Sequence, residues 1–308
     1  MKNIYPLIFI CIFSFLNYSC PKPDITPAYL IFFEEDFKDC LDVSNYNNEH
    51  EQNYDPIELN AIKQQKFSDV FVSLNGKELG YWHLPCTIPL LPNYSGTNNI
   101  RIIPCVKLIN TAQTCTRYLF VTPVDIFCEI EKEKEYRLPV KVEYVKSVEF
   151  PILEIFSQST KFTPRIPSFP ATIEIVYDEE FEKNIGKITL TDTTKYFDIV
   201  TPYFPMLGSG ERQFWELSYK SENGQITTHL GYENTISGIT NQDLIVFYST
   251  KGEWKKAYID ISESVMKACD IASQVSMRLN ITGIKDDANL ASYFYFENIK
   301  LITMSAPY

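Results

Sequence analysis

The sequence predicts an all-β chain made of two β-sandwich domains, and three observations predict it. The chain carries 20 Tyr and 21 Phe against only 11 Gly in 308 residues, and aromatic residues suit pleated, half-buried surfaces. Short apolar runs recur along it, divided by Pro, Asn-Gly and polar punctuation at the spacing of sandwich strands. A break rich in Ser, Thr and Pro (Ser157-Gln158-Ser159-Thr160, then Pro164, Pro167 and Pro170) separates the runs into two sets. With residues 152–156 assigned to the second set, the expected domains span 28–150 and 151–308.

The first nineteen residues read as a secretory signal. Lys2 supplies one positive charge, and an apolar run over residues 4–16 follows, interrupted only by Pro6 and Ser14. That run fits a signal-peptide core and is too short for a membrane span of about 20 residues. It ends in Asn17-Tyr18-Ser19-Cys20, and Pro21-Lys22-Pro23-Asp24 begins a tether over residues 20–27. A small residue before a cysteine at the end of such a run is similar to a bacterial lipobox. That resemblance implies lipid on the Cys20 thiol, with Asn17 and Tyr18 departing from the usual pattern. Two or three acyl chains anchor stably where one is marginal.

In the first domain a strand is expected over residues 28–37, then a long Asn-rich loop over 44–65. Val70, Phe71, Val72 and Leu74 run into Asn75-Gly76 and out through Leu79, Tyr81 and Trp82. Asn-Gly between β-rich runs is the strongest local hairpin signal, because a type I′ turn needs positive φ at both central residues. Further strands are expected at 100–103, 106–109, 118–121, 124–130 and 140–148. The second domain continues with strands at 172–177, 188–190, 214–219, 227–230 and 243–248, with a second hairpin turn at Glu222-Asn223-Gly224. Residues 252–261 form a strand, and Ser262 caps a short helix with Val265, Met266 and Cys269 on one face. Strands at 275–281 and 293–302 close the chain.

Two stretches carry a family resemblance. Trp254-Lys255-Lys256 with Tyr258-Ile259-Asp260-Ile261, followed by Phe294-Tyr295-Phe296-Glu297-Asn298-Ile299, resembles the closing strands of galactose-binding-like jelly rolls, which include many carbohydrate-binding modules. Asp69-Val70-Phe71-Val72-Ser73-Leu74-Asn75-Gly76 resembles PEGA-type and immunoglobulin-like modules of envelope proteins. Together with the signal and lipobox, the whole resembles uncharacterised lipoproteins of Bacteroidota. The resemblance implies an immunoglobulin-like sandwich followed by a jelly roll at an outer membrane, facing the surface or the periplasm, and transfers no active site.

The net charge of −11 repels phosphate backbones and argues against a nucleic-acid partner. Of eight cysteines, Cys40, Cys86, Cys105, Cys115, Cys128 and Cys269 remain beyond the signal and Cys20. None has a Cys-x-x-Cys spacing, and at most one or two bridges are expected in an exported chain. His50, His83 and His229 lack any nucleophile motif nearby, so no enzyme is expected. The jelly-roll resemblance allows a structural Ca²⁺, which takes several oxygen ligands, with Asp178, Glu179 and Glu297 as its first candidates. Sugar binding needs a flat aromatic face ringed by polar groups. Trp82, Tyr203, Tyr232 and Tyr248 are the candidates, whereas Trp215 alternates with Leu217 and Tyr219 as a core residue. The expected role is an accessory subunit of an outer-membrane protein complex, held there by the lipid. The alternative is a surface lipoprotein that binds polysaccharide.

Overall fold

The computed structural model describes residues 26–92, 94–109, 114–167, 171–205, 211–234, 238–269, 275–287 and 290–304. The signal, Cys20 and most of the tether lie outside the described residues. Among the described residues the architecture is predominantly β, in several mainly antiparallel sheets.

The N-terminal half opens with β1 (Ala28–Phe32), α1 (Glu35–Lys38), β2 (Leu41–Asp42), α2 (Tyr46–Glu49) and α3 (Pro56–Lys63). The single strand expected over 28–37 therefore ends at Phe32, and Asp36 turns the chain by accepting from the Phe33 N–H at 2.8 Å. The expected loop over 44–65 holds two helices. In α3, Asp55 caps the Ile57 and Glu58 N–H groups while Glu58 reaches back to the Asp55 N–H, with Pro56 at the first helical position. Next come β3 (Asp69–Leu74), β4 (Lys77–His83), β5 (Cys86–Leu90), β6 (Thr97–Lys107), β7 (Cys115–Arg117), β8 (Val124–Glu129), β9 (Glu135–Tyr136) and β10 (Val142–Glu143). The expected Asn-Gly hairpin is present, Asn75 and Gly76 taking φ of 52° and 77° between β3 and β4. A five-stranded sheet runs β4-β3-β6-β7, with β8 also on β6, and a smaller one runs β5-β1-β9.

The second half comprises β11 (Val148–Glu154), β12 (Thr163–Pro164), β13 (Glu174–Asp178), β14 (Lys183–Leu190), β15 (Tyr196–Val200), β16 (Phe204–Pro205), β17 (Arg212–Glu222), β18 (Gly224–Asn234), β19 (Gly238–Phe247), β20 (Lys255–Asp260), α4 (Ser262–Cys269), β21 (Val275–Lys285) and β22 (Ser292–Met304). The expected break between residues 150 and 151 falls inside β11, which pairs with β22. One sheet, here the seam sheet, runs β13-β14-β22-β17-β20; the other, here the open sheet, runs β12-β15-β21-β18-β19. Their inner faces bury Trp215, Leu217, Phe294, Phe296, Phe197, Ile199, Leu230, Leu279 and Ile281 in one core. Each large apolar side chain so buried contributes about 1.5–3 kcal/mol.

The turn expected to form a second hairpin at Glu222-Asn223-Gly224 is instead a corner: β17 belongs to the seam sheet and β18 to the open sheet. Gly224 is required there, because a Cβ would stand 2.3 Å from the Phe294 ring and 2.7 Å from the Ile284 carbonyl oxygen. In α4 Val265 and Ala268 are buried and Cys269 packs against the same core, while Met266 is exposed, so Ala268 takes the place expected for Met266. All six described thiols are unbridged.

Candidate functional site

Strand alternation decides what the open sheet presents outward. Phe197 and Ile199 of β15, Ile226 and Leu230 of β18, and Leu279 and Ile281 of β21 point into the core, so their neighbours stand on the outer face. Register then lines these up in rungs. Asn241, Gly231 and Arg278 share one rung, and Asp243, His229, Asn280 and Val200 the next. Thr227, Thr282 and Asp198 follow, then Gln225, Ile284 and Tyr196. Sequence reasoning missed this face. The odd-numbered alternation of β18 was available to it, but its partners come from three other strands, Asp243 lying 14 positions from His229 and Thr282 lying 53.

The chemistry of that face is polar. His229 lies across it with Nδ1 2.7 Å from Asp243 and Nε2 2.8 Å from the Thr282 hydroxyl. Arg165 donates to Asp198 at 2.6 Å, and the Arg278 guanidinium lies 4.8 Å from the Tyr203 ring centre. Asp198 and Asn280 are 3% and 1% exposed. Yet the second Asp198 oxygen (Oδ1), the Asn280 amide oxygen and Arg278 Nε have no hydrogen-bond partner among the described residues. These three atoms lie beneath the face rather than on it, and the seam sheet has the like in Glu216 Oε2, Asn298 Oδ1 and the Gln213 amide. What the open face presents outward is Asn241 and Asp243, both exposed, beside Arg278 and His229. Gly231 keeps the floor flat, since a Cβ there would meet Asn241 Oδ1 at 2.9 Å and the Arg278 side chain at 3.1 Å.

Of the expected aromatic platforms, Tyr203 stands at one end of this face and is 37% exposed, and Tyr248, just past β19, is 76% exposed. Tyr232 does not join them: it shares the inward face with Leu230 and is buried in the core. Trp82 lies far away on β4, packed against the N-terminal core. Trp215 is fully buried, as its alternation indicated. The three calcium candidates are not brought together. Asp178 accepts from the Glu180 and Phe181 N–H groups to close its own turn, while Glu297 is paired with Lys183. Among the described residues no three His, Cys, Asp or Glu side chains converge as a metal site.

The outer face of the seam sheet is different, because the N-terminal half covers much of it. Phe120 packs on Phe214 at 5.0 Å and Tyr118 on Tyr258 at 6.1 Å between ring centres. Below them the Tyr118 hydroxyl donates to Glu216 at 2.6 Å, and Lys300 pairs with the other Glu216 oxygen at 3.3 Å. Lys300 also donates to the Gln64 carbonyl at 3.2 Å and to those of Ala61 and Ile62 at 3.4 Å. A cation here meets the negative end of α3, whose Ala61 and Ile62 carbonyls also accept from the Asn298 amide and the Tyr144 hydroxyl. Burial pulls the Lys300 ammonium down to about 7, against the opposing pull of Glu216. Burial also holds the Tyr118, Tyr144 and Tyr258 hydroxyls well above their ordinary range.

Comparison with known proteins finds no matching family model and no matching curated protein. Among solved structures, the chain is similar to a xylan-binding CBM22-1 domain of Paenibacillus barcinonensis Xyn10C, with a TM-score of 0.39 and 9% identity over 52% of this chain and 98% of that one. It is also similar to the family 11 carbohydrate-binding module of Clostridium thermocellum Lic26A-Cel5E, with a TM-score of 0.35 and 16% identity over 51% and 95%. A carbohydrate-binding module of the β-sandwich superfamily gives a TM-score of 0.36 and 12% identity over 77% and 85%. The similarity to β-sandwich carbohydrate-binding modules is distant.

Proposed function

We propose that this chain is a non-catalytic glycan-binding protein, held in the cell envelope by lipid on Cys20. The observation that carries the reading is the outer face of the open sheet, where exposed Asn241 and Asp243 stand beside Arg278 and His229 on adjoining rungs. Sugar hydroxyls both donate and accept, which suits the mixed amide, carboxylate, imidazole and guanidinium groups of this face. Tyr203 at one end and Tyr248 at another supply flat faces for the sugar's C–H side. The exposed apolar residues Tyr196, Val246 and Ile284 are interleaved with Gln225, Thr227 and Thr282. That mixture suits a polysaccharide better than the apolar patch of a tightly docked protein subunit.

The test is retention of the purified full chain in native gels cast with soluble neutral polysaccharides, xylan and β-glucan among them. Retardation that disappears in the Asn280→Ala and Arg278→Ala variants supports the reading. Unretarded wild-type protein, together with stoichiometric co-purification of an outer-membrane protein from detergent-solubilised envelope, overturns it in favour of the subunit role. Cys20→Ser tests the anchor separately, by release of the protein from membranes.

A further inference from the structure

Part of the seam sheet's outer face escapes the cover of the N-terminal half. There Lys187, Tyr295 and Lys220 share a rung across β14, β22 and β17. Lys220 Nζ lies 4.7 Å from the Tyr295 ring centre and 5.0 Å from that of Trp254, and Lys187 Nζ lies 5.1 Å from Tyr293. Phe181 holds Trp254 edge-on at 5.0 Å. Lysines and rings thus alternate across four adjacent segments. The row ends at a cavity of about 210 Å³ lined by Gln65, Lys66, Trp254, Lys255, Lys256 and Glu297, among others.

Charge around that cavity does not balance. The Lys256 side chain is 8% exposed, and its nearest described carboxylate oxygen, on Glu216, is 4.0 Å away. Glu216 is already engaged by Lys300 and the Tyr118 hydroxyl, and Glu297 is taken by Lys183. Three lysines therefore share two carboxylates, and Lys66 and Lys255 add further cations at the cavity. The Trp254 Nε1–H, buried, has no acceptor among the described residues. Desolvating a cation without a close anion is costly. Around Lys256 the surplus is positive, in a chain whose net charge is −11, whereas Glu222 and Asp178 stand by Tyr295 farther along the row.

We propose that this cavity is a second binding site, independent of the open sheet, for the anionic group of an acidic glycan. Lys256 meets the carboxylate or sulfate, and Trp254 and Tyr295 take the face of the sugar ring that bears it. An aromatic ring beside an ammonium suits such a sugar, because its C–H face is apolar while its acid group is charged. Lys220 and Lys187 extend the same pattern to the neighbouring residues of an acidic chain.

Calorimetric titration of the full chain in detergent tests this, with oligogalacturonate, a sulfated galactan oligosaccharide and a neutral xylo-oligosaccharide as probes. The expected result is binding of one or both acidic probes that weakens as salt is raised. Lys256→Gln is expected to weaken it about tenfold, the loss of one charge-assisted hydrogen bond. Removing that charge relieves a desolvation cost, since burial already lowers the Lys256 ammonium, so the variant is expected to fold. Trp254→Ala, Lys220→Ala and Lys255→Ala provide the same reading by other side chains. Preference for the sulfated probe over the uronate assigns sulfate as the anion, and the reverse assigns carboxylate. Failure of both acidic probes to bind overturns the proposal, as does equal affinity for the neutral one. Loss of acidic binding in Asn280→Ala but not in Lys256→Gln also overturns it, by returning the ligand to the open sheet; neutral-glycan binding that persists in Lys256→Gln leaves the open-sheet reading intact.

Discussion

The two outer faces of the C-terminal sandwich are built alike, from antiparallel strands whose inner side chains share one core, and they are finished in opposite ways. On the seam sheet, Glu216 accepts from the Tyr118 hydroxyl and pairs with Lys300, which also meets the end of α3. The N-terminal half seals them from water, with Glu216 Oε2 and Asn298 Oδ1 left without a hydrogen bond among the described residues. On the open sheet, Asp198, Asn280 and Arg278 are recessed yet keep unpaired atoms. Buried polar groups can serve stability when their partners are built in, or recognition when a partner is left out. Here unpaired buried atoms occur on both faces, and the faces differ in cover: the N-terminal half packs aromatic rings on the seam sheet.

The sharpest way to break that comparison is to remove one partner from each face. Glu216→Ala leaves Lys300 buried without its anion and is expected to lower unfolding free energy by about 3–5 kcal/mol. Asn280→Ala, whose amide oxygen has nothing to lose, is expected to stay within about 1 kcal/mol. Urea denaturation of both variants decides it, and similar losses in the two would erase the distinction.

The next effect is in pH. Lys300 binds its proton less tightly folded, at about 7, than unfolded, at about 10.4. Between those values the unfolded chain holds more protons, so stability rises with pH across this window. Above about 10 the direction reverses, because unfolded tyrosines ionise while Tyr118, Tyr144 and Tyr258 resist. Unfolding curves measured from pH 6 to 11 should therefore peak on the alkaline side, and Lys300→Met should flatten the rising limb.

Smaller effects separate the floor of the open sheet from its margins. Gly231→Val crowds Asn241 and Arg278 and is expected to weaken neutral-glycan retention about tenfold, by displacing a hydrogen-bonding guanidinium. Tyr203→Ala is expected to cost a few-fold in the same gels, about the value of one stacked ring. Tyr232→Phe, buried behind the sheet, should leave retention unchanged, and a loss there would mean that the face has been placed on the wrong side.

What was legible in the sequence was what neighbours in the chain decide. Asn75-Gly76 made its hairpin, and the alternation of Trp215, Leu217 and Tyr219 marked core strand. Even the misread stretch at 44–65 held a local signal, for Asp55-Pro56 with Glu58 is a helix start hidden in Asn-rich surroundings. Glu222-Asn223-Gly224 was recognisable as a turn but not as a corner, because which sheet each strand joins depends on β21 and β22, far along the chain. Tyr232 could have been placed by its parity with Ile226 and Leu230. The open face could not, since no local rule brings Asp198, His229 and Arg278 together.

The bond from Lys300 to the end of α3 also bears on the order in which the molecule can be completed. The helix spans residues 56–63, yet the ammonium that meets its last carbonyls arrives more than 230 positions later, on β22. The same strand supplies the middle of the seam sheet, pairing with β11, β14 and β17. As the chain is made from its N-terminus, neither half can reach its final form until that strand emerges. A product cut short before Ser292 would leave Glu216 with only the more distant Lys256 and β17 without a neighbour on one edge. Completion is thereby tied to length, and a protease that removes unfinished chains has two incomplete halves to act on instead of one.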